Sequence, residues 1–433
     1  MQIMRSLKSN KSYTIAIILI AILVLVTALL RPVHIFPDSE GYITAAIYRT
    51  PVYPLFLKIL NLLFGSYEDI ALIASQTLMG ISAALFMITK LRKWTSLSVY
   101  WLVLLFGMVL YPYIAERGIG NNILSEAISY PLYLITITFF FNAFLNNVSK
   151  PLTKAFIVLF VLLLTRTQFV FLVPIGILIC LNLYYRNRTS KKPLILALAF
   201  LILPFLTNLA DKTYHYVQHN HFVSTPWTGI HLFTPAIFTA EEGDNLLYED
   251  PQEKDYFETM FAILKEEGLN VNHKKNPNEP DIDIYEEHYS KIANATLFYK
   301  GLEVVSDGEL TDENFILVDQ LTTSMTATLT WDNKVDWTKL YIMNFINGFG
   351  SISMFVLFVI LFLISLTDFI KEPAILNKTV LFFTICTMAN MAVVSIAMHT
   401  IQRFTFYNDW VLFLIVFLTI DMITTKKNLT NEN

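Results

Sequence analysis

The sequence predicts an all-α polytopic membrane protein of about ten transmembrane helices. Three observations predict it. Hydrophobic residues make up 55% of the 433 and charged residues only 15%, with a mean hydropathy of +0.51; a soluble domain carries about 25% charge. Apolar runs close to span length recur along the chain. Basic residues gather in the gaps between those runs in a regular alternation.

A span needs roughly 20 mostly apolar residues. Candidate runs lie at about 13–30, 70–89, 97–114, 123–145, 156–165, 169–184, 194–209, 347–366, 380–398 and 410–423. The fifth and sixth are short. They form a hairpin, because basic clusters bracket them and only Arg166, Thr167 and Gln168 are polar at the tip. The first run is long for a signal-peptide core and no small-x-small site follows it, so it reads as a retained span. Cys180 and Cys386 fall inside apolar runs. That pattern argues against a disulfide framework or a cysteine metal site.

The basic clusters set the orientation. They are Arg5/Lys8/Lys11, Lys90/Arg92/Lys93, Lys150/Lys154, Arg186/Arg188/Lys191/Lys192, Lys371/Lys378 and Lys426/Lys427, which together hold 16 of the 31 Lys and Arg residues. In a ten-span arrangement every cluster falls on one side, which the positive-inside rule makes cytoplasmic. Both termini then lie in the cytoplasm. The domains expected are an N-terminal membrane module at 1–210 with a first outer loop at 31–69, an acidic extracytoplasmic segment at 211–340, and C-terminal membrane helices at 341–433. The acidic segment carries 24 Asp and Glu against nine Lys. It reads as largely helical: Asp250 stands before Pro251 as an N-cap, and Gly268 and Gly301 stand at C-terminal ends of runs 251–268 and 283–300. Asp281-Ile-Asp283 reads as solvated loop.

The first outer loop is juxtamembrane and helical in pattern. Asp38, Tyr42, Ala45 and Arg49 follow the spacing of one helical face. Residues 51–64 are apolar around Lys58 and read as a helix lying in the interface plane.

Ionisable groups at membrane depth are expensive and mark function by default. The short outer connections offer Asp38, Glu40, Arg49, Glu116, Arg117, Glu126, Arg166, His399 and Arg403, and all eight histidines fall on the outer side. Asp38 is placed to take a proton from an acceptor hydroxyl; its bland alternative is to cap the helix that follows. Arg49, Arg166 and Arg403 suit a phosphate, since a guanidinium matches its oxygens with a fork of donors; each could instead snorkel to headgroups. Glu126 either faces a cavity or stabilises a helix start through the dipole. His215, His219 and His221 include the i, i+4 spacing of helical metal ligands but lack a zincin glutamate.

The run Asp38-Ser-Glu-Gly-Tyr42, then Arg49-Thr-Pro-Val-Tyr-Pro54-Leu-Phe-Leu57, then Leu62-Leu-Phe-Gly65 resembles the start of the GT-C glycosyltransferases of the protein O-mannosyltransferase and aminoarabinose transferase group. Ser125-Glu126, the short spans around Arg166 and Gln402-Arg403-Phe404 fall where that family has related features. The resemblance covers about the first 190 residues and, more loosely, the last 35. It implies a GT-C-like fold and transfer of a sugar from a polyprenyl-phosphate-linked donor to a glycan, lipid or protein acceptor. It implies Asp38 as the catalytic residue, a base or acceptor-orienting acid, and Arg49, Arg166 and Arg403 as donor-phosphate ligands. Glu40, Tyr42, Glu116, Arg117, Glu126 and His399 are then expected to line the cavity. Family members carry paired acids in the first outer loop. Here Asp38 and Glu40 would diverge by about 200° on a helix, so one acid carries over. The late motif is Arg403-Phe404 where the family often has Arg-Tyr.

No Gly-rich phosphate loop is present among the 14 glycines, and no nucleic-acid partner is expected. No cofactor is certain from the residues, and a divalent metal stays open. The rivals are a polysaccharide polymerase or ligase of another membrane fold, a lipid-linked glycan transporter or flippase, and a non-catalytic assembly protein docking through its acidic segment. A transporter calls for mid-span charges and broken helices, whereas here the charges gather at outer ends.

The orientation has a direct test. With single cysteines at Asn272 and at Asn428, an impermeant thiol reagent on intact cells should label the first and spare the second. Labelling confined to Asn428 would invert the topology.

Overall fold

The computed structural model describes residues 2–95, 97–306 and 308–431, with side chains within 11–424. Arg5, Lys8, Lys426 and Lys427 of the basic clusters lie outside the described side chains. Every regular element is helical, and among the described residues the only β pairing is one isolated bridge, His34 to Asn122. The α-helices are α1 (Gln2–Leu29), α2 (Ser39–Ile43), α3 (Val52–Phe64), α4 (Glu68–Trp94), α5 (Val99–Ile114), α6 (Glu126–Asn146), α7 (Lys150–Thr165), α8 (Leu172–Arg186), α9 (Lys192–His219), α10 (Thr228–Phe238), α11 (Pro251–Glu267), α12 (Asp281–Ser290), α13 (Gly301–Val305), α14 (Asp312–Asp332), α15 (Lys334–Asn347), α16 (Ile352–Lys371), α17 (Ile375–Ala397), α18 (Gln402–Thr405) and α19 (Asp409–Asn431).

Nine apolar runs among the described residues are long enough to cross a membrane, one fewer than expected. They mark a multi-pass membrane protein. The missing member is the expected span at 156–165. It belongs to α7, whose 16 residues extend about 24 Å, short of a hydrocarbon core of about 30 Å. The expected hairpin tip is nevertheless there: Arg166 is extended, and a tight turn at Thr167–Phe171 leads into α8.

Two compact units share the chain. The first comprises Met1–Thr207, Val359–Thr387 and Phe406–Asn433; the second comprises Asn208–Phe358 and Met388–Thr405. Residues 341–433 are thus divided between them, and α9 runs past the expected boundary at 210 to His219.

In the first unit the loop after α1 departs from expectation. The polar face at 38–49 is not one helix. α2 ends at Ile43, and Ala45 turns the chain with φ 55°, a left-handed conformation rare outside glycine. α3 follows as expected, burying Tyr53, Leu57 and Leu60 and exposing Leu55, Ile59 and Leu62.

The second unit has its own core, including Ile230, Phe233, Tyr256, Tyr285, Leu297 and Met325, all fully buried. Its helices begin and end where the local chemistry says. The Asp250 carboxylate accepts from the Gln252 and Glu253 amides ahead of Pro251, and Gly268 closes α11 in the left-handed conformation. Gly301 is not a stop. The helix from Asp281 continues through a π-helical stretch, Lys291–Lys300, into α13. Gly301 instead makes room for packing, since a Cβ there would come within 2.8 Å of the buried Tyr256 ring. Asp281 and Asp283 open α12 rather than a loop, and Asp281 pairs with Lys274 at 2.9 Å.

Asp319 of α14 accepts from the Gly229 amide of α10 at 2.7 Å. Burial pushes its carboxyl up from 3.8 to about 6. The folded state therefore holds a proton between those values that the unfolded chain releases. Stability from this group rises as pH falls through 6 towards 4 and is absent at neutral pH. Asp319→Asn keeps the acceptor oxygen and removes the buried charge. It should raise the melting temperature at about pH 7.5 and flatten this part of the pH profile in detergent-solution melts.

Candidate functional site

Two connections of the first unit are stitched to each other. The His34 amide donates to the Asn121 carbonyl at 2.8 Å, and the Ile123 amide donates to the His34 carbonyl at 3.2 Å. The Asn121 side-chain amide donates to the carbonyls of Ala28, Arg31 and Pro32 at 2.9–3.2 Å. Arg31 donates to the carbonyls of Ile114 and Ala115 at the end of α5. Ser39 donates to the Ile123 carbonyl at 2.9 Å, which fixes the start of α2. Beneath them the Tyr53 hydroxyl donates to Gln76 at 2.8 Å, and Gln76 donates to the Gly120 carbonyl at 3.0 Å.

Two ion pairs stand on this frame. Arg49 Nη2 meets Asp38 Oδ1 at 2.8 Å, and Arg166 Nη1 meets Glu126 Oε1 at 2.7 Å. They are linked through Tyr42 and Ser125: the Tyr42 ring packs on Arg49, its hydroxyl donates to Ser125 Oγ at 3.1 Å, and Arg166 reaches the same oxygen at 3.5 Å. Arg166 Nε also donates to Gln168 at 2.6 Å, and Thr50 ties the loop to the Thr165 carbonyl at 2.8 Å. The Arg49 guanidinium lies 4.4 Å from the Tyr42 ring centre and 4.9 Å from that of Tyr48. Burial works against its charge, but Tyr42 and Asp38 outweigh burial and raise its pKa, so it is a permanent cation. Gly41 permits this fold-back, because a Cβ there would come within 2.8 Å of Arg49 Nε.

The side chains differ in access. Asp38 is 35% exposed and Arg49 17%, whereas Arg166 is 12% and Glu126 3%. The Asp38 pair is the open end of the network and the Glu126 pair the closed end. Asp38 does not cap α2: its backbone is already helical and its side chain makes no capping bond. Its carboxylate faces Arg49 because the turn at Ala45 brings that residue back.

Of the residues singled out from sequence, Asp38, Tyr42, Arg49, Glu126 and Arg166 come together here. Glu40, Glu116 and Arg117 are exposed, with Arg117 5.9 Å from the Phe36 ring centre. His399 and Arg403 belong to the second unit. There His399 stacks on Tyr289 at 4.4 Å, and its Nδ1 lies 3.3 Å from the Glu286 carbonyl oxygen. Burial lowers the His399 pKa, so the ring is neutral at pH 7. Burial raises the Glu286 pKa, and its carboxyl accepts from the Thr400 amide at 2.7 Å. His215, His219 and His221 turn to different partners: the Val223 carbonyl, Asp312 and Glu313. Among the described residues no three His, Cys, Asp or Glu side chains converge to hold a metal.

Ser125 as the shared hydroxyl and the Tyr53–Gln76 support went unread in the sequence. Gln76 carried a signal, as a polar residue in the middle of an apolar run.

No family model, no curated protein and no solved structure matches the chain.

The closed pair has a stability signature. Removing one partner of a buried ion pair strands the other charge and costs about 3–5 kcal/mol, whereas removing both costs far less. Glu126→Ala and Arg166→Ala should each lower the melting temperature more than the double variant does. Additive losses in that double-mutant cycle would show the pair to be uncoupled.

Proposed function

We propose that the chain is a glycosyltransferase that moves a sugar from a polyprenyl-phosphate-linked donor to an acceptor at the extracytoplasmic face of the membrane. The observation that carries the reading is the joining of Asp38–Arg49 and Glu126–Arg166 in one network drawn from three connections. Transfer to a hydroxyl needs a base for the acceptor proton and cations for the departing phosphate. The network holds both kinds of group. The acceptor oxygen attacks the anomeric carbon, its proton passes to Asp38, and the sugar–oxygen bond to the lipid phosphate breaks. Arg49 and Arg166 take the phosphate charge. Arg403 is assigned as a third phosphate ligand on the family resemblance alone.

In this reading Asp38 is held by Arg49 until the donor arrives. Phosphate oxygens compete for the guanidinium, and an Arg49 drawn to phosphate releases the carboxylate to act as base. Glu126 keeps Arg166 oriented from behind. The basic clusters assign the site to the outer face and both termini to the cytoplasm, with α7 crossing as a short span so that the spans number ten.

Asp38→Asn keeps the shape and removes the base. It should lower turnover about 10²-fold or more with no loss of donor binding, since phosphate no longer competes with a carboxylate for Arg49, and with only a modest drop in melting temperature. Glu40→Gln, at an exposed position off the network, should do little. Arg166→Ala should weaken binding of the lipid donor, and Arg166→Lys should restore only part of it, since an ammonium lacks the fork of donors. Full turnover in Asp38→Asn removes it as the base. Movement of intact lipid-linked glycan without cleavage of the sugar–phosphate bond would make the protein a transporter.

A further inference from the structure

α8 ends in the largest basic cluster of the chain. Arg186, Arg188, Lys191 and Lys192 fall within seven residues that contain no acid. Leu178, Leu181 and Tyr185 follow helical spacing along one face of α8, and Arg188 stands in the turn just past its end. With Asn182 and Tyr184 they line a groove of about 550 Å³. Its chemistry is graded. Leu178 and Leu181, 63% and 45% exposed, form the apolar end. Tyr185 and Arg188 form the polar end, with the guanidinium 5.2 Å from the Tyr185 ring centre. Tyrosine and arginine at a span terminus sit at headgroup depth.

Between the two ends is an orphan donor. Asn182 Oδ1 accepts from Arg186 Nε at 3.3 Å. Asn182 Nδ2 is buried with no hydrogen-bond partner among the described residues. A buried donor left without an acceptor is costly, and lipid hydrocarbon offers none. The groove thus runs from an acyl-chain surface on α8, past the buried Asn182 amide, to the Tyr185 ring and, in the turn beyond the helix, the Arg188 guanidinium.

We infer that this face of α8 and the turn after it are a binding site for one anionic phospholipid, whose acyl chain lies along Leu178 and Leu181, whose ester or phosphate oxygen accepts from the Asn182 amide once that side chain turns outward, and whose headgroup phosphate pairs with Arg188. Four cations beside the end of a span are also the composition that recognises anionic lipid. The site stands apart from the ion-pair network and does not rest on the glycosyltransferase reading.

The test uses the full-length protein, delipidated in detergent and offered phosphatidylglycerol or phosphatidylcholine with the same acyl chains. Native mass spectrometry reads the one-to-one adduct that survives activation, and thermal melting reads the stabilisation each lipid confers. Phosphatidylglycerol should be retained about fivefold more than phosphatidylcholine, the ratio set by about one cation–headgroup contact. Arg188→Ala should remove most of that preference. Asn182→Leu should lower retention of both lipids, because the acceptor it meets is common to them. Lys93→Ala, which removes an exposed cation from the end of α4, should leave the preference unchanged. Equal retention of the two lipids overturns the site. So does an equal loss in Lys93→Ala and Arg188→Ala, which would make the attraction diffuse surface charge.

Discussion

A chain in lipid can leave a helix only where its freed backbone groups find partners inside the protein. The first unit meets that constraint by an exchange between two connections. Asn121, after α5, donates to the Ala28 carbonyl in the last turn of α1 and to the Arg31 and Pro32 carbonyls just past it, and Arg31, after α1, donates to two carbonyls at the end of α5. Each connection satisfies the helix end that precedes the other. The His34 bridge fixes their register, so residues 36–50 and 123–126 start from a shared reference. Ser39, Tyr42, Ser125 and Glu126 all take their positions from it. The polar network is a consequence of how two helix ends were closed.

Ionic groups set on such a frame must be paired, because a lone buried charge is expensive. Arg166 and Glu126 are paired deep in the unit, with Gln168 and Ser125 taking further donors of the guanidinium. Arg49 is paired at the open end, between two tyrosine rings that support its charge without replacing a hydrogen-bonding anion. The two arginines therefore differ in freedom. Arg166 can exchange ligands only by disturbing a buried carboxylate. Arg49 can trade a half-exposed carboxylate for another anion and keep both rings. Under the proposed transfer, Arg166 would define the position of the phosphate and Arg49 would respond to its arrival.

Local chemistry was legible wherever a residue acts through its own backbone neighbourhood. Asp250 before Pro251 and Gly268 after the helical run read directly as cap and stop, and both act so. Gly301 looks the same in sequence and does a different job, because Tyr256, forty-five positions away, occupies the space beside it. The polar set at 38–49 was legible as a set, and its geometry was not. A left-handed alanine carries no sequence signature, so Asp38 and Arg49 meet across a turn where periodicity would have put them on one helix. Span count suffered from a similar limit. The basic residues on either side of α7 and α8 show the hairpin, while α7 itself is shorter than the length rule accepts. Ser125 and Gln76 could not be weighted, since their importance lies in the partners that the frame brings to them.

The second unit fixes one of its own segments in the same way. Residues 388–405 carry His399 and Arg403, and their anchors lie in that unit's own core. Tyr289 donates to the Ala397 carbonyl at 2.8 Å and stacks on His399. Asn344 donates to the Met398 carbonyl at 2.7 Å, and Glu286 takes both the amide and the hydroxyl of Thr400. Four consecutive residues, 397–400, are thereby held from α12 and α15, three positions short of Arg403. Glu286 is one of 24 acids in the segment 211–340, and composition alone makes it another solvated charge. Its burial and its two bonds to Thr400 make it a fixing point for the chain that leads to the late arginine. The position of Arg403 is thus set from within its own unit, by a buried tyrosine, an asparagine and a carboxylate that hold the residues just before it.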